Sequence, residues 1–248
     1  MFRQSIRKTS RRFDNVWGVK PLDDLCYRRS IARWHRLSDD EHDLSGVLDT
    51  AYRFAGIGRY RTISPLQLRS ELTRAVEHLR DREPEVVVEI GSLYGGTFYT
   101  WCRGIESVER AISLDLPGGT PPRFLDRITP DTDTSFVRGN SHAQAARDAV
   151  EDLLDGDQID FLFVDGDHSY EGLRRDLELF TPLVGDDGVI GLHDIETVDP
   201  AVEVDALWQE LRDDHETVGI VDTRYDPADP ISIAGHRVTG HGIGFFEP

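Results

Sequence analysis

Four short apolar runs limit what this chain can fold into. Glu85–Ile90, Ala111–Leu116, Ile159–Asp165 and Gly188–Leu192 are too short for buried helices and too apolar for a surface. Runs of this kind are strands covered on both faces, as in a parallel sheet. Amphipathic stretches fall between them. Residues 65–81 set Leu68, Leu72, Val76 and Leu79 on one helical face, with Pro65 after Ser64 at the start. Helices are also expected from Gly95 to about Ser107, over Ser141–Leu154 with Ser141 as N-cap, over Ser169–Phe180 ahead of Pro182, and over Pro200–Asp213. The last turns Val202, Leu207 and Leu211 toward the core. Gly118–Thr134, rich in proline, threonine and aspartate, reads as a loop, and Ser135–Arg138 as a short strand.

Val218–Asp222 and Gly242–Phe246 follow as strands with no helix between them, which predicts a terminal hairpin. The expected fold class is α/β: a Rossmann-like, doubly wound, mainly parallel seven-stranded sheet with an antiparallel C-terminal edge strand. No internal repeat or low-complexity segment interrupts it. The 248 residues suit one large domain. Residues 65–248 would form that domain. Residues 1–64 would be a basic N-terminal extension, partly helical around Ile31 and Trp34, and a candidate lid.

Charge narrows the partners. The net charge is −18, and only two cationic side chains, Lys8 and Lys20, are lysines. Such a surface suits high salt, where screening tolerates self-repulsion, and gives a halophilic reading. It disfavours a nucleic-acid partner. Residues 1–36 run against the trend with ten Lys/Arg and three Asp/Glu. That arm either folds back on the acidic body or meets an acidic partner. The N-terminus has no apolar leader, and no stretch nears the roughly 20 apolar residues of a membrane span. The expectation is a cytoplasmic protein. Cys26 and Cys102 offer neither a disulfide framework nor a zinc pattern.

The chemistry collects where strands stop. The first strand runs into Glu89-Ile-Gly-Ser-Leu-Tyr-Gly-Gly-Thr97. Gly91 permits a sharp turn and a close ligand approach. Gly95 and Gly96 would open a helix whose free N–H groups face a polar or anionic ligand. The spacing is not the dinucleotide fingerprint. With Asp115 closing the second strand, it looks like the S-adenosylmethionine site of class I methyltransferases. A strand-end carboxylate can accept from both ribose hydroxyls, and an acid near the glycine turn can attract the methionine ammonium. The plainer reading is a βα turn with Asp115 opening a loop.

A second group comprises Asp165, Asp167 and His168, then His193 and Asp194. Strand-end carboxylates can bind Mg²⁺ or another divalent cation. Such an ion lowers the pKa of a bound hydroxyl, and a nearby carboxylate or imidazole can take its proton. Asp-Gly-Asp is also ordinary turn chemistry, and Asp167 could cap the next helix.

Together these motifs resemble the class I methyltransferases grouped with cephalosporin hydroxylase and its relatives. The likeness rests on Glu89–Thr97, Ser113–Gly119, Asp165–Gly172, His193–Ile195 and Gly242–Gly244, over about residues 68–248. Its most specific element is Asp165-Gly-Asp-His-Ser-Tyr-Glu-Gly172. The resemblance implies a methyl-donor site of Glu89, Gly91, Ser92, Gly95, Gly96, Thr97, Asp115, Asn140, Ser141 and Asp165. Asp115 would hold the ribose, and Asn140 would sit near adenine. Metal ligands would be Asp165, His193 and Asp194, with Asp167 and His168 as rival bases. His193 stands where some metal-dependent sugar O-methyltransferases carry an acid. No iron site of two histidines and a carboxylate is apparent.

The activity implied is metal-assisted, S-adenosylmethionine-dependent O-methylation of a small polyhydroxylated molecule or glycan. A metal hydrolase, or a non-catalytic cofactor-binding subunit, are the alternatives. The N-terminal segment and Gly118–Thr134 would help cover the site. Trp208 and His241 are either acceptor contacts or packing residues. A homo-oligomer is compatible with the sequence.

Overall fold

The computed structural model describes residues 20–197, 199–222, 232–233, 236–237 and 240–248. The parallel strands are β1 (Val86–Ile90), β2 (Arg110–Asp115), β3 (Asp133–Arg138), β4 (Ile159–Val164) and β5 (Val184–Thr197). Strands β6 (Thr217–Ile220), β7 (Ser232–Ile233), β8 (His236–Arg237) and β9 (Gly240–Phe246) follow. Helices α1 (Lys20–Ser38), α2 (Leu44–Arg53) and α3 (Arg69–Arg80) precede the sheet. Within it come α4 (Gly96–Gly104), α5 (Pro122–Ile128), α6 (Gln144–Leu154), α7 (Tyr170–Phe180) and α8 (Val204–Asp214).

The sheet has seven strands in the order β3-β2-β1-β4-β5-β9-β6, while β7 and β8 pair separately. The chain leaves β1 in one direction and resumes at β4 in the other. The crevice above these two strands is the switch point where such sheets bind ligands. Strand β9 runs antiparallel to both β5 and β6, and inserts between them. The expected terminal hairpin is therefore present, with β6 rather than β9 on the outside.

Alternation along the strands sorts the core. Val88, Ile90, Ile112, Leu162 and Ile190 face one layer with α6, α7 and α8. Val87, Ala111, Phe161, Phe163 and Val189 face α3 and α4. A third cluster joins Trp34, Phe54 and Tyr60 to Tyr99, Phe124 and Leu125. Trp34 Nε1 donates to Tyr99 Oη at 3.1 Å. Arg123 of α5 bonds Asp23 at 2.6 Å and lies 4.5 Å from the Tyr27 ring centre. The described part of the N-terminal segment thus shares a core with the sheet. Residues 1–19 of the basic arm lie outside the described residues.

Several boundaries differ from the sequence reading. Gly118–Thr134 contains α5, because Pro122 occupies the first helical turn, where no backbone donor is required. Helix α3 starts at Arg69 rather than Pro65, leaving residues 64–68 outside the helix with a bend at Leu66 and Gln67. Helix α6 starts at Gln144 with Ala143 at its N-cap, so Ser141 does not cap it. Helix α1 is a long helix of 19 residues. Cys102 is buried and Cys26 partly so, both as free thiols. Among the described residues no helix is long and apolar enough to cross a membrane.

Candidate functional site

The strand ends are tied across the switch point. Gly91 N donates to Leu114 O at 2.9 Å, Asp165 N to Ile90 O at 2.8 Å, and Gly139 N to Asp115 O at 3.0 Å. Gly91 has φ +92°, and a Cβ there would lie 2.0 Å from Asp165 O. Only glycine fits this turn. The chain then passes through Leu93 at φ +42° and Gly95 at φ +79°, and α4 begins. A cavity of about 230 Å³ opens here, walled by Ser64–Gln67, Gly91–Tyr94, the start of α4, Asp165, His168, His193, Asp194 and Val202.

Glu89 lies fully buried beneath the glycine turn. Thr97 Oγ1 donates to its Oε1 at 2.8 Å, while Oε2 has no hydrogen-bond partner. Burial pushes this carboxyl up to about 8 against the Thr97 hydrogen bond, and nearby Asp165 adds to the rise. Asp115 closes β2 beside this wall. Its Oδ1 accepts from Leu116 N at 2.6 Å, and Oδ2 faces Arg138 Nη1 at 3.5 Å. Burial raises its pKa, and Arg138 counters part of the rise. Beyond β3, Asn140 is exposed and its Oδ1 accepts from His142 N at 3.0 Å. Ser141 lies near Asp176, a buried carboxyl that desolvation lifts to about 6 and whose oxygens make no hydrogen bond among the described residues.

At the other wall, Asp165, His168 and Asp194 bring one ligand atom each within 4.8 Å of one another. His168 Nδ1 lies 2.8 Å from Asp194 Oδ2. His193 Nδ1 lies between the two acids, 3.3 Å from Asp165 Oδ1 and 3.2 Å from Asp194 Oδ1. Burial alone would depress the His193 pKa, but the two carboxylates outweigh it and hold it well above the ordinary value. Asp194 is correspondingly held well below the usual carboxylate range: burial opposes this, and His193 and His168 outweigh burial. The Asp194 backbone sits at φ +62°, a left-handed conformation uncommon for a residue with a side chain. Strand β5 loses its regular register with β9 between His193 and Glu196, at this same point. Strain of this sort at a cluster of ligating groups is a mark of function.

Residues 88–195 match the family described as a methyltransferase domain. That segment runs from β1 to the acid–imidazole cluster on β5. Over that segment the chain is similar to methyltransferase domains. Solved structures share the fold. The O-methyltransferase from Bacillus cereus in complex with SAH is 14% identical, with 88% of this chain and 97% of that one covered and a TM-score of 0.51. Cofactor-bound Rv0187 from MTB is 14% identical, with coverage of 88% and 96% and a TM-score of 0.54. MycE methyltransferase from the mycinamycin biosynthetic pathway, in complex with Mg, SAH and mycinamycin VI, is 18% identical, with coverage of 84% and 55% and a TM-score of 0.52. A curated relative, protein y4gI of Sinorhizobium fredii, is 23% identical over 137 residues. The match covers 52% of this chain and 15% of that protein's length.

Within the matched segment, Gly91, Ser92, Gly96, Thr97, Asp165, His168, His193 and Asp194 line one cavity. Glu89 lies beneath it, and Gly95 is the N-cap of α4 beside it. Asp115, Asn140 and Ser141 are not in the cavity wall; they stand further along the same sheet edge, toward β3. Asp167 points elsewhere: its Oδ1 accepts from Ser169 N and Oγ at 2.9 and 2.8 Å, and it is not in the wall. Trp208 packs under β9 against Gly244, and the side chain of His241 lies outside the described residues. Three neighbours escaped the sequence reading. Gln67 Nε2 donates to Asp165 Oδ2 at 2.6 Å. Glu71 is fully buried, and the charge of His193 acts on it. Arg138 faces Asp115. Each arrives from a distant segment, so no local motif announces it.

Proposed function

We propose that the chain is an S-adenosylmethionine-dependent O-methyltransferase, assisted by a divalent cation such as Mg²⁺. Its acceptor would be a hydroxyl of a small polyhydroxylated molecule or glycan. One observation carries the reading: the glycine-turn wall and the acid–imidazole wall enclose a single cavity, with Asp165 belonging to both. The donor set suits the methyl donor. Buried oxygens of Gln67 and Glu89 lack hydrogen-bond partners, and Asp115 Oδ2 has only the long contact to Arg138, which matches a ligand carrying an ammonium and ribose hydroxyls. Asp165 and Asp194 also suit a hard cation, and MycE, of like fold, was solved with Mg. His193 stands as a further nitrogen ligand or as the imidazole bridging the two acids.

When bound, S-adenosylmethionine supplies an electrophilic methyl group, and the cation acidifies the acceptor hydroxyl. The protein's part is positioning and proton transfer. Glu89 and the N-terminus of α4 hold the donor's amino-acid end, and Asp115 its ribose. His168 is the preferred base, because it lines the cavity and its hydrogen bond to Asp194 raises its basicity. Asp167 fits a turn-forming role better. Pro65, Leu66, Leu93 and Val202 give the cavity an apolar rim that limits water.

The test is calorimetric binding of S-adenosylhomocysteine, then methyl transfer to a panel of polyols and glycosides with Mg²⁺ or with chelator. Binding together with cation-dependent transfer is expected. No binding at millimolar concentration would remove the methyl-donor reading. Hydrolysis of sugar esters without transfer would point to a metal hydrolase instead.

A further inference from the structure

We propose that Gln67 reads the α-ammonium of the methyl donor, an inference that rests on the methyltransferase reading of this cavity. Gln67 is 2% exposed and lies in the bend before α3. Its Nε2 donates to Asp165 Oδ2 at 2.6 Å. A carboxylate only accepts, so this bond fixes which end of the amide is nitrogen. The oxygen, Oε1, is then buried without a partner, on a residue that forms the cavity wall. A buried acceptor left unmade is costly, and a donor on the ligand would satisfy it.

The ligand group can be named from its surroundings. Gly91, Gly96 and Thr97 share the cavity with Gln67. The opening turn of α4 presents backbone N–H groups, which suit a carboxylate. Gln67 Oε1 and the nearby Glu89 carboxyl offer acceptors, which suit an ammonium. A zwitterionic amino-acid end, with its two charges a bond or two apart, fits donors and acceptors placed in one wall. Tyr52 Oη donates to the Gln67 backbone oxygen at 2.8 Å, so the residue is held before any ligand arrives. Since Gln67 also holds Asp165, it links the amino-acid end of the donor to the acid cluster where the acceptor reacts.

The experiment compares two ligands on two proteins. Dissociation constants of S-adenosylhomocysteine and of 5′-methylthioadenosine, which lacks the amino-acid end, are measured for the wild type and for Gln67→Met. Loss of a hydrogen bond to a charged group predicts about tenfold or more weaker binding of S-adenosylhomocysteine. Methylthioadenosine affinity should stay unchanged. Equal weakening of both ligands would show a merely structural role, and no weakening of either would show no role; each overturns the inference. Gln67→Asn, which keeps the polarity but shortens the reach, should give the same selective loss if Gln67→Met does not fold. A wild type that binds neither ligand would sink the methyl-donor reading, and this inference with it.

Discussion

Asp165 is where the two walls meet: Gln67 holds one oxygen and His193 approaches the other. Asp165→Asn and Asp194→Asn are each expected to lower methyl transfer by about 10²-fold or more, read as initial rates with saturating donor. Asp167 and His168 separate in the same assay. His168→Asn should lose about 10²-fold, while Asp167→Asn should stay within a few-fold. The reverse order would restore Asp167 as base. Glu89 gives a pH signature. Its folded pKa, about 8, lies above the ordinary 4.5, so the folded state holds a proton that the unfolded state releases between those values. The stability it confers is full below about 4.5 and is lost as pH rises through about 8. Denaturant titrations should show wild type losing stability relative to Glu89→Gln across that window. A difference that does not change with pH would refute the protonated form.

Turns and caps decide the elements. Asp43 caps α2, with Gly46 N donating to its Oδ1 at 2.9 Å, and Asp43→Ala should cost about 1 kcal/mol in chemical denaturation. Gly91→Ala should cost at least about 2 kcal/mol, since it meets both a positive φ and the Asp165 carbonyl. The central strands were legible because burial on both faces forces continuous β-branched and aromatic runs, as in Val86–Ile90 and Ile159–Val164. The glycine turn and the strand-end acids were legible for a related reason: the switch point needs those residue types in order. Helix α5 was not, because Pro122 and its threonine-rich flanks resemble a loop unless a helix start is sought. The bend at Leu66 and Gln67 was not legible either. The helical period of Leu68, Leu72, Val76 and Leu79 continues back through Pro65 without a break, although α3 begins only at Arg69. Gln67 was hidden by that continuity.

The described N-terminal helices share a core with the α/β body and are expected to unfold with it. Trp34→Ala should cost about 3–5 kcal/mol and leave one cooperative transition, seen alike by circular dichroism and tryptophan fluorescence. Two separate transitions would make the helices an independent appendage. The net charge of −18 predicts that raising salt from 0.1 to 1 M, which shortens screening from about 10 Å to about 3 Å, raises Tm. The strand order has its own consequence during synthesis. Strand β9 is made after β6 yet lies between β5 and β6. Until the ribosome has released Gly240–Phe246, β6 has no place in the sheet, and the strand bearing His193 and Asp194 is an open edge. A nascent chain therefore holds most of a catalytic centre beside an unprotected template for pairing with its neighbours, and slow translation or early termination there should end in aggregates rather than in a weakened enzyme.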